Sequence, residues 1–102
     1  MIKLPANDQA EKAAADRRAI LELLSDAGGT FNDARIVRLL NDLGYVIAHD
    51  EAVSHFLWLS EQTLVVSADL GSMWVAHATR AGRDVAEGRK IVEGVSAHKA
   101  FE

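Results

Sequence analysis

Leu64-Val65-Val66-Ser67-Ala68-Asp69-Leu70-Gly71-Ser72-Met73-Trp74-Val75-Ala76-His77 decides how the rest of the chain is read. Two β-prone runs, 64–68 and 73–77, flank the turn-forming Asp69-Leu70-Gly71-Ser72, which is the pattern of a β-hairpin. Upstream, the periodicity is helical throughout. A long first helix is expected from about Asp8 to Ala27, capped by Asn7 or Asp8, with apolar residues at 10, 13, 14, 20, 21, 23, 24 and 27 and Gly28-Gly29 at its end. After a short extended Thr30-Phe31, Asn32 caps a second helix carrying Ile36, Leu39, Leu40 and Leu43, and Gly44 stops it. Tyr45 to Ala48 turns the chain into a third helix, His49 to Gln62, whose buried face is expected to hold Ala52, Val53, Phe56, Leu57 and Leu59. Downstream of the hairpin, Thr79 caps a short fourth helix, Arg80 to Glu87, closed by Gly88. The expected organisation is an arm over 1–7, one domain over 8–88, and a tail over 89–102 with an apolar patch at Ile91, Val92 and Val95.

The chain has 102 residues, 49% of them hydrophobic, enough for one modest core. Its net charge of -4 and pI near 5.5 are opposite to the basic balance of a free-standing nucleic-acid binder. Cysteine is absent, so disulfides, thiolate metal sites and thiol nucleophiles are excluded. No apolar run approaches the roughly 20 residues that span a bilayer, and a cytoplasmic location without membrane association is expected. Charge is unevenly placed: the 41 residues from Leu39 to Thr79 contain no Lys or Arg, but do contain Asp42, Asp50, Glu51, Glu61 and Asp69.

The order of three helices, hairpin and short helix resembles the winged helix-turn-helix fold, an α+β class that is mostly α. Trp58-Leu59-Ser60-Glu61-Gln62-Thr63-Leu64-Val65-Val66 is similar to its junction between recognition helix and wing, and Thr79-Arg80-Ala81-Gly82-Arg83 is similarly placed after the wing. The opening 1–18 and the run Asp84-Val85-Ala86-Glu87-Gly88-Arg89 resemble small winged-helix proteins encoded by Mu-like phages and prophages. The resemblance implies a bacterial or prophage cytoplasmic protein, loosely grouped with regulators of the ArsR type and without an assigned enzymatic activity, and it supplies no catalytic residues; a non-enzymatic protein is expected. One position departs from the pattern. Thr63 stands where a left-handed glycine is usual, and a β-branched residue there is strained by about 1 kcal/mol or more, so a different helix end is expected.

In such a fold the third helix enters the major groove and its N-terminal side chains read bases. Here it opens His49-Asp50-Glu51, two carboxylates facing a polyanion, with no guanine-reading Arg or Lys in helix or wing. His49, Glu51, Ser54, His55, Trp58 and Gln62 are its candidate contacts to bases or to a partner. Five cations are spaced i, i+4 from an acid: Lys12 with Asp16, Arg18 with Glu22, Arg38 with Asp42, Arg80 with Asp84, and Arg83 with Glu87. Lys3, Arg17, Arg35, Arg89, Lys90 and Lys99 have no such neighbour. Most of these charges read as a solvated, salt-bridged surface. The sharper reading makes Arg35, Arg38, Arg89 and Lys90 phosphate contacts, giving weak, salt-sensitive binding to double-stranded DNA.

A helical wheel puts Trp58 on the polar side of the third helix with Glu51, Ser54, His55 and Gln62. Either the wing or the tail covers it, or it anchors an interface with a basic protein partner. Trp74 in the hairpin has the same two readings, with core packing favoured because strand alternation puts one face of 73–78 inward. His49 and His55 lack metal-pair spacing, His77 and His98 are remote, and neither a metal nor another cofactor is expected. The alanine-rich start of the first helix (Ala10, Ala13, Ala14) and the 91–95 patch exceed what so small a core needs, which suggests a homodimer. Two functions stand side by side: a DNA-associated regulatory or accessory factor, and a protein-interaction module using the acidic third helix and Trp58.

Overall fold

The computed structural model describes residues 6–97. The expected arm with Pro5 and Lys3, and His98 and Lys99 at the other end, lie wholly or largely outside the described residues. Among the described residues, four helices and a three-stranded antiparallel sheet make a mostly helical α+β fold, an order consistent with winged helices without being unique to them. The elements are α1 (Ala6–Ala27), β1 (Phe31–Asn32), α2 (Asp33–Asp42), α3 (His49–Glu61), β2 (Val65–Asp69), β3 (Trp74–Ala78) and α4 (Arg80–Ala86).

The helix already includes Asn7 and Asp8, so neither is the cap expected for α1. Asn32 does cap α2, its Oδ1 accepting from Arg35 N at 2.7 Å. The turn into α3 is clasped by Asn41, whose side chain bonds both the N–H and the carbonyl of Ile47. Thr79 caps α4 by accepting from Gly82 N at 3.0 Å. The hairpin is one residue later than expected. Val65 pairs with Ala78 and Asp69 with Trp74, and Leu70 N donates to Met73 O at 2.8 Å across the turn. The short extended segment joins the sheet as β1, Phe31 opposite Ala76, so β3 is the central strand.

Ile20, Leu21, Leu24, Ile36, Leu40, Phe56, Leu59, Leu64 and Val85 fill the core from all four helices and β2's leading edge. The close approach of α4 to β2 needs Gly82, because a Cβ there would collide with the Leu64 carbonyl. The end of α3 contradicts expectation. Thr63 lies at φ 61°, with its N–H on Ser60 O and Leu64 N–H on Leu59 O, the same paired bonds that glycine supports after α2 (Gly44) and α4 (Gly88). The helix therefore ends in the usual left-handed way and Thr63 carries the strain; Thr79 Oγ1 ties its carbonyl at 2.7 Å.

Residues 89–97, read as a tail, return along α1. Val95 is buried, Ser96 N donates to Ala14 O at 3.2 Å, and the Arg18 guanidinium donates to the carbonyls of Ser96, Val85 and Ala86. Val95 and the Ala14 carbonyl are thus engaged within one chain, whereas Ala10 and Ile91, the latter 67% exposed, remain on the surface.

Candidate functional site

The exposed stripe of α3 is rotated from the one the helical wheel gives. Asp50, Ser54, Leu57 and Glu61 point to solvent at helical spacing, whereas His55 is buried at 7% exposure and Trp58 half-buried. Leu57, expected in the core, is 43% exposed, and Val53 is only half-buried. The wheel sets Trp58 apart from Val53 and Phe56, yet Trp58 packs on α1 through Arg17. It cannot show that residues 91–97 come back over that side.

That cover is specific. Arg17 stacks on the Trp58 ring with its guanidinium carbon 4.0 Å from the centroid, and its Nη1 donates to Gly94 O at 3.0 Å. Gly94, at φ +95°, lies flat against the indole, and a Cβ there would sit 2.5 Å from Trp58 Cζ2. Arg17 Nε also donates to His55 Nδ1 at 3.3 Å. Burial first, and then the Arg17 charge, hold the His55 pKa below its ordinary value, against the opposing pull of Asp16 and Glu51. The buried Asp16 carboxylate accepts from Lys12 Nζ at 2.8 Å, and Lys12 also reaches Glu51 at 3.7 Å. Glu51 itself is exposed and accepts from Ala48 N at 3.1 Å, capping the start of α3. Trp58 and His55 are therefore parts of an α1–α3–tail junction, and Gln62, also exposed, closes the helix.

A second junction holds α3 to the hairpin. Asp33, buried at the first turn of α2, accepts from His49 Nε2 at 2.5 Å, from Ala34 N at 2.9 Å and from Trp74 N at 3.4 Å. Burial works against its charge, but the three donors outweigh it and lower its pKa. His49 is exposed yet tied, so it is not a free contact. Beside this junction, a groove of about 350 Å³ runs between the first turns of α3 and the hairpin turn, floored by Val53, Met73 and Trp74. Asp33, Asp16 and Arg17 hold these two junctions together, a role that sequence spacing does not reveal. The signal available for Asp33 was only an acid directly after a cap residue, and for Arg17 only a lack of an i, i+4 acid.

The cations are redistributed. Lys12 with Asp16 and Arg18 with Glu22 form as expected. Arg89, expected to be free, takes Asp84 at 2.8 Å and Glu87 as well, because the turn after α4 folds it back over the last helical turn. Arg80 makes no ion-pair contact with Asp84, although its charge still acts on that carboxylate, and Arg83 donates to Ala78 O in place of pairing with Glu87. Among the described residues, Arg35, Arg38, Arg80 and Lys90 are exposed and make no ion pair; Arg35 rests over the Phe31 ring at 4.4 Å. Of the expected phosphate contacts, Arg35 and Arg38 share α2, three residues apart, while Arg89 and Lys90 follow α4. Among the described residues, no three His, Asp or Glu side chains are grouped to hold a metal, and no helix is long and apolar enough to cross a membrane.

No protein-family model matches this sequence. The chain is 37% identical over 81 residues to a protein of Escherichia phage Mu, "Uncharacterized protein gp26", an alignment covering 78% of this chain and 84% of that protein. This chain belongs to the gp26 family. The expected kinship with small proteins of Mu-like phages is thereby shown. The gp26 likeness covers more of the chain than any one helix or the hairpin, so it extends over the core elements and not one motif alone.

Proposed function

We propose that this gp26-family chain is a non-enzymatic winged helix-turn-helix protein of the phage cytoplasmic phase that docks a protein partner with α3 and the hairpin, in place of reading a DNA groove. One observation carries this reading. The face that a winged helix turns toward DNA exposes Asp50, Glu51, Ser54, Leu57 and Glu61 on α3 and Leu70 and Met73 at the hairpin turn, with no Lys or Arg between Leu39 and Thr79. Acids repel phosphate and exposed apolar side chains gain nothing from it, whereas both suit a basic protein surface. Trp58 is not the anchor, since Arg17 and Gly94 cover it.

A second reading, a DNA-associated regulatory or accessory factor, draws support from Arg35 and Arg38, exposed and without ion pairs on α2, with Lys90 also exposed and in no ion pair, although Asp84 lies within reach of its charge. A few such contacts give weak binding that fades steeply with salt, by a slope of about -0.9 per phosphate neutralised. Fluorescence anisotropy of a labelled random duplex across a salt series separates the two. The docking reading expects no saturable binding at 100 mM salt. Saturable binding that Arg35→Ala with Arg38→Ala abolishes would transfer the conclusion to DNA association.

A further inference from the structure

We infer that the groove between the start of α3 and the hairpin turn seats an apolar side chain of a basic protein segment, one in which lysine or arginine flanks the anchor. The inference rests on the docking reading above and names the chemistry of its partner.

The groove is built to stay open. Asp33 bonds His49 at the head of α3 and the N–H of Trp74 at the head of β3, so a single buried carboxylate fixes both walls. Its volume of about 350 Å³ lies at the lower end of the range of ligand pockets, about 300 to 1,000 Å³, a size for one side chain and its neighbours. The floor is apolar: Val53 is half-buried, Trp74 half-buried, and Met73, 38% exposed, has the flexible thioether that adapts to a guest. At the hairpin end, Gly71 brings backbone close without a side chain to block entry.

Charge identifies the occupant. Asp50 and Asp33 line the groove and Asp69 is opposite Trp74 in the hairpin register, with no Lys or Arg on α3, β2 or β3 to offset them. An acidic or neutral segment gains no electrostatic complementarity here, and a phosphate backbone is repelled. A segment with one apolar side chain between cations satisfies both the floor and the rim.

The test uses two fluorescein-labelled peptides of equal length, one alternating lysine with leucine and one alternating lysine with serine, titrated with the full chain at 150 mM salt. The lysine–leucine peptide is expected to bind saturably and at least tenfold more tightly than the lysine–serine peptide. Val53→Ser and Met73→Ser should each weaken it at least fivefold and Asp50→Asn at least twofold. Leu43→Ser, an exposed apolar site elsewhere, should leave it unchanged. Circular dichroism checks that each variant is folded. Equal binding of the two peptides, or wild-type affinity in Val53→Ser and Met73→Ser, overturns the inference as diffuse charge attraction. If no peptide binds and random duplex DNA is not bound either, the groove assignment falls while the docking reading stands. If duplex DNA binds and Val53→Ser weakens that binding, both fall.

Discussion

Gly94→Ala tests whether residues 91–97 are held by close contact with Trp58 or merely lie near it. Gly94 sits at φ +95°, and the added Cβ would lie 2.5 Å from Trp58 Cζ2 and 2.7 Å from Cη2. The left-handed backbone costs an alanine about 1 kcal/mol, and overpacking against a stacked indole costs about 1 to 3 kcal/mol more. Releasing the segment instead would forfeit the burial of Val95 and the guanidinium bonds to Gly94 and Ser96, about 4 kcal/mol or more in sum. The strained, docked state is therefore the cheaper outcome, with a total loss of about 2 to 4 kcal/mol and a fall in Tm of roughly 10 to 25 °C. Gly71→Ala supplies the control. Gly71 has a similar φ of +89° but open space around it, so only the backbone cost of about 1 kcal/mol applies. The assay is thermal melting by circular dichroism, with acrylamide quenching of Trp58 in a Trp74→Phe background. Gly94→Ala should melt well below Gly71→Ala while Trp58 stays shielded. Equal losses in the two variants would refute the contact.

Thr63→Gly should stabilise the protein by about 0.5 to 1 kcal/mol, since relief of left-handed strain exceeds the added unfolded-state entropy; a lower Tm would contradict the strain. His55 has a folded pKa below its unfolded value, so the unfolded chain takes up a proton first and stability falls as pH drops below about 6.5. Urea titrations between pH 7 and 5 should show this slope, and His55→Gln should flatten it. Asp33, with its pKa lowered on folding, contributes stability above about pH 4 that is lost on further acidification. Asp33→Asn should lose about 1 to 3 kcal/mol at neutral pH and show less acid sensitivity, again by urea titration.

Local signals made most of the fold legible in the sequence. Asn32 and Thr79 have cap side chains whose roles depend on neighbours three residues away, and the hairpin was marked by its turn residues, misplaced by one position because the bend tightens between Leu70 and Met73. The helical wheel placed Ala52, Phe56 and Leu59 in the core correctly. It failed for Leu57 and His55 because a wheel knows only the helix, and which flank faces water is set by what returns over it. Here that is the segment around Gly94, some 36 positions after Trp58 and invisible to local periodicity. Thr63 misled for a different reason: tertiary ties through Leu64 and Thr79 outweigh a local cost of about 1 kcal/mol. The candidate site was legible as charge, the cation gap surviving folding intact, but not as geometry. Asp33 acts through residues 16 and 41 positions away, and Arg89 recruits two acids that spacing had assigned to others.

The most direct measurement is an amide correlation spectrum of the isotopically labelled chain during titration with a random DNA duplex at low salt. Amides of 49–62 and 65–78 are expected to stay fixed, any movement being confined to the surroundings of Arg35, Arg38 and Lys90. Progressive shifts centred on Asp50, Ser54 and the hairpin turn would contradict that expectation, because they would place phosphate on the face whose acids should repel it.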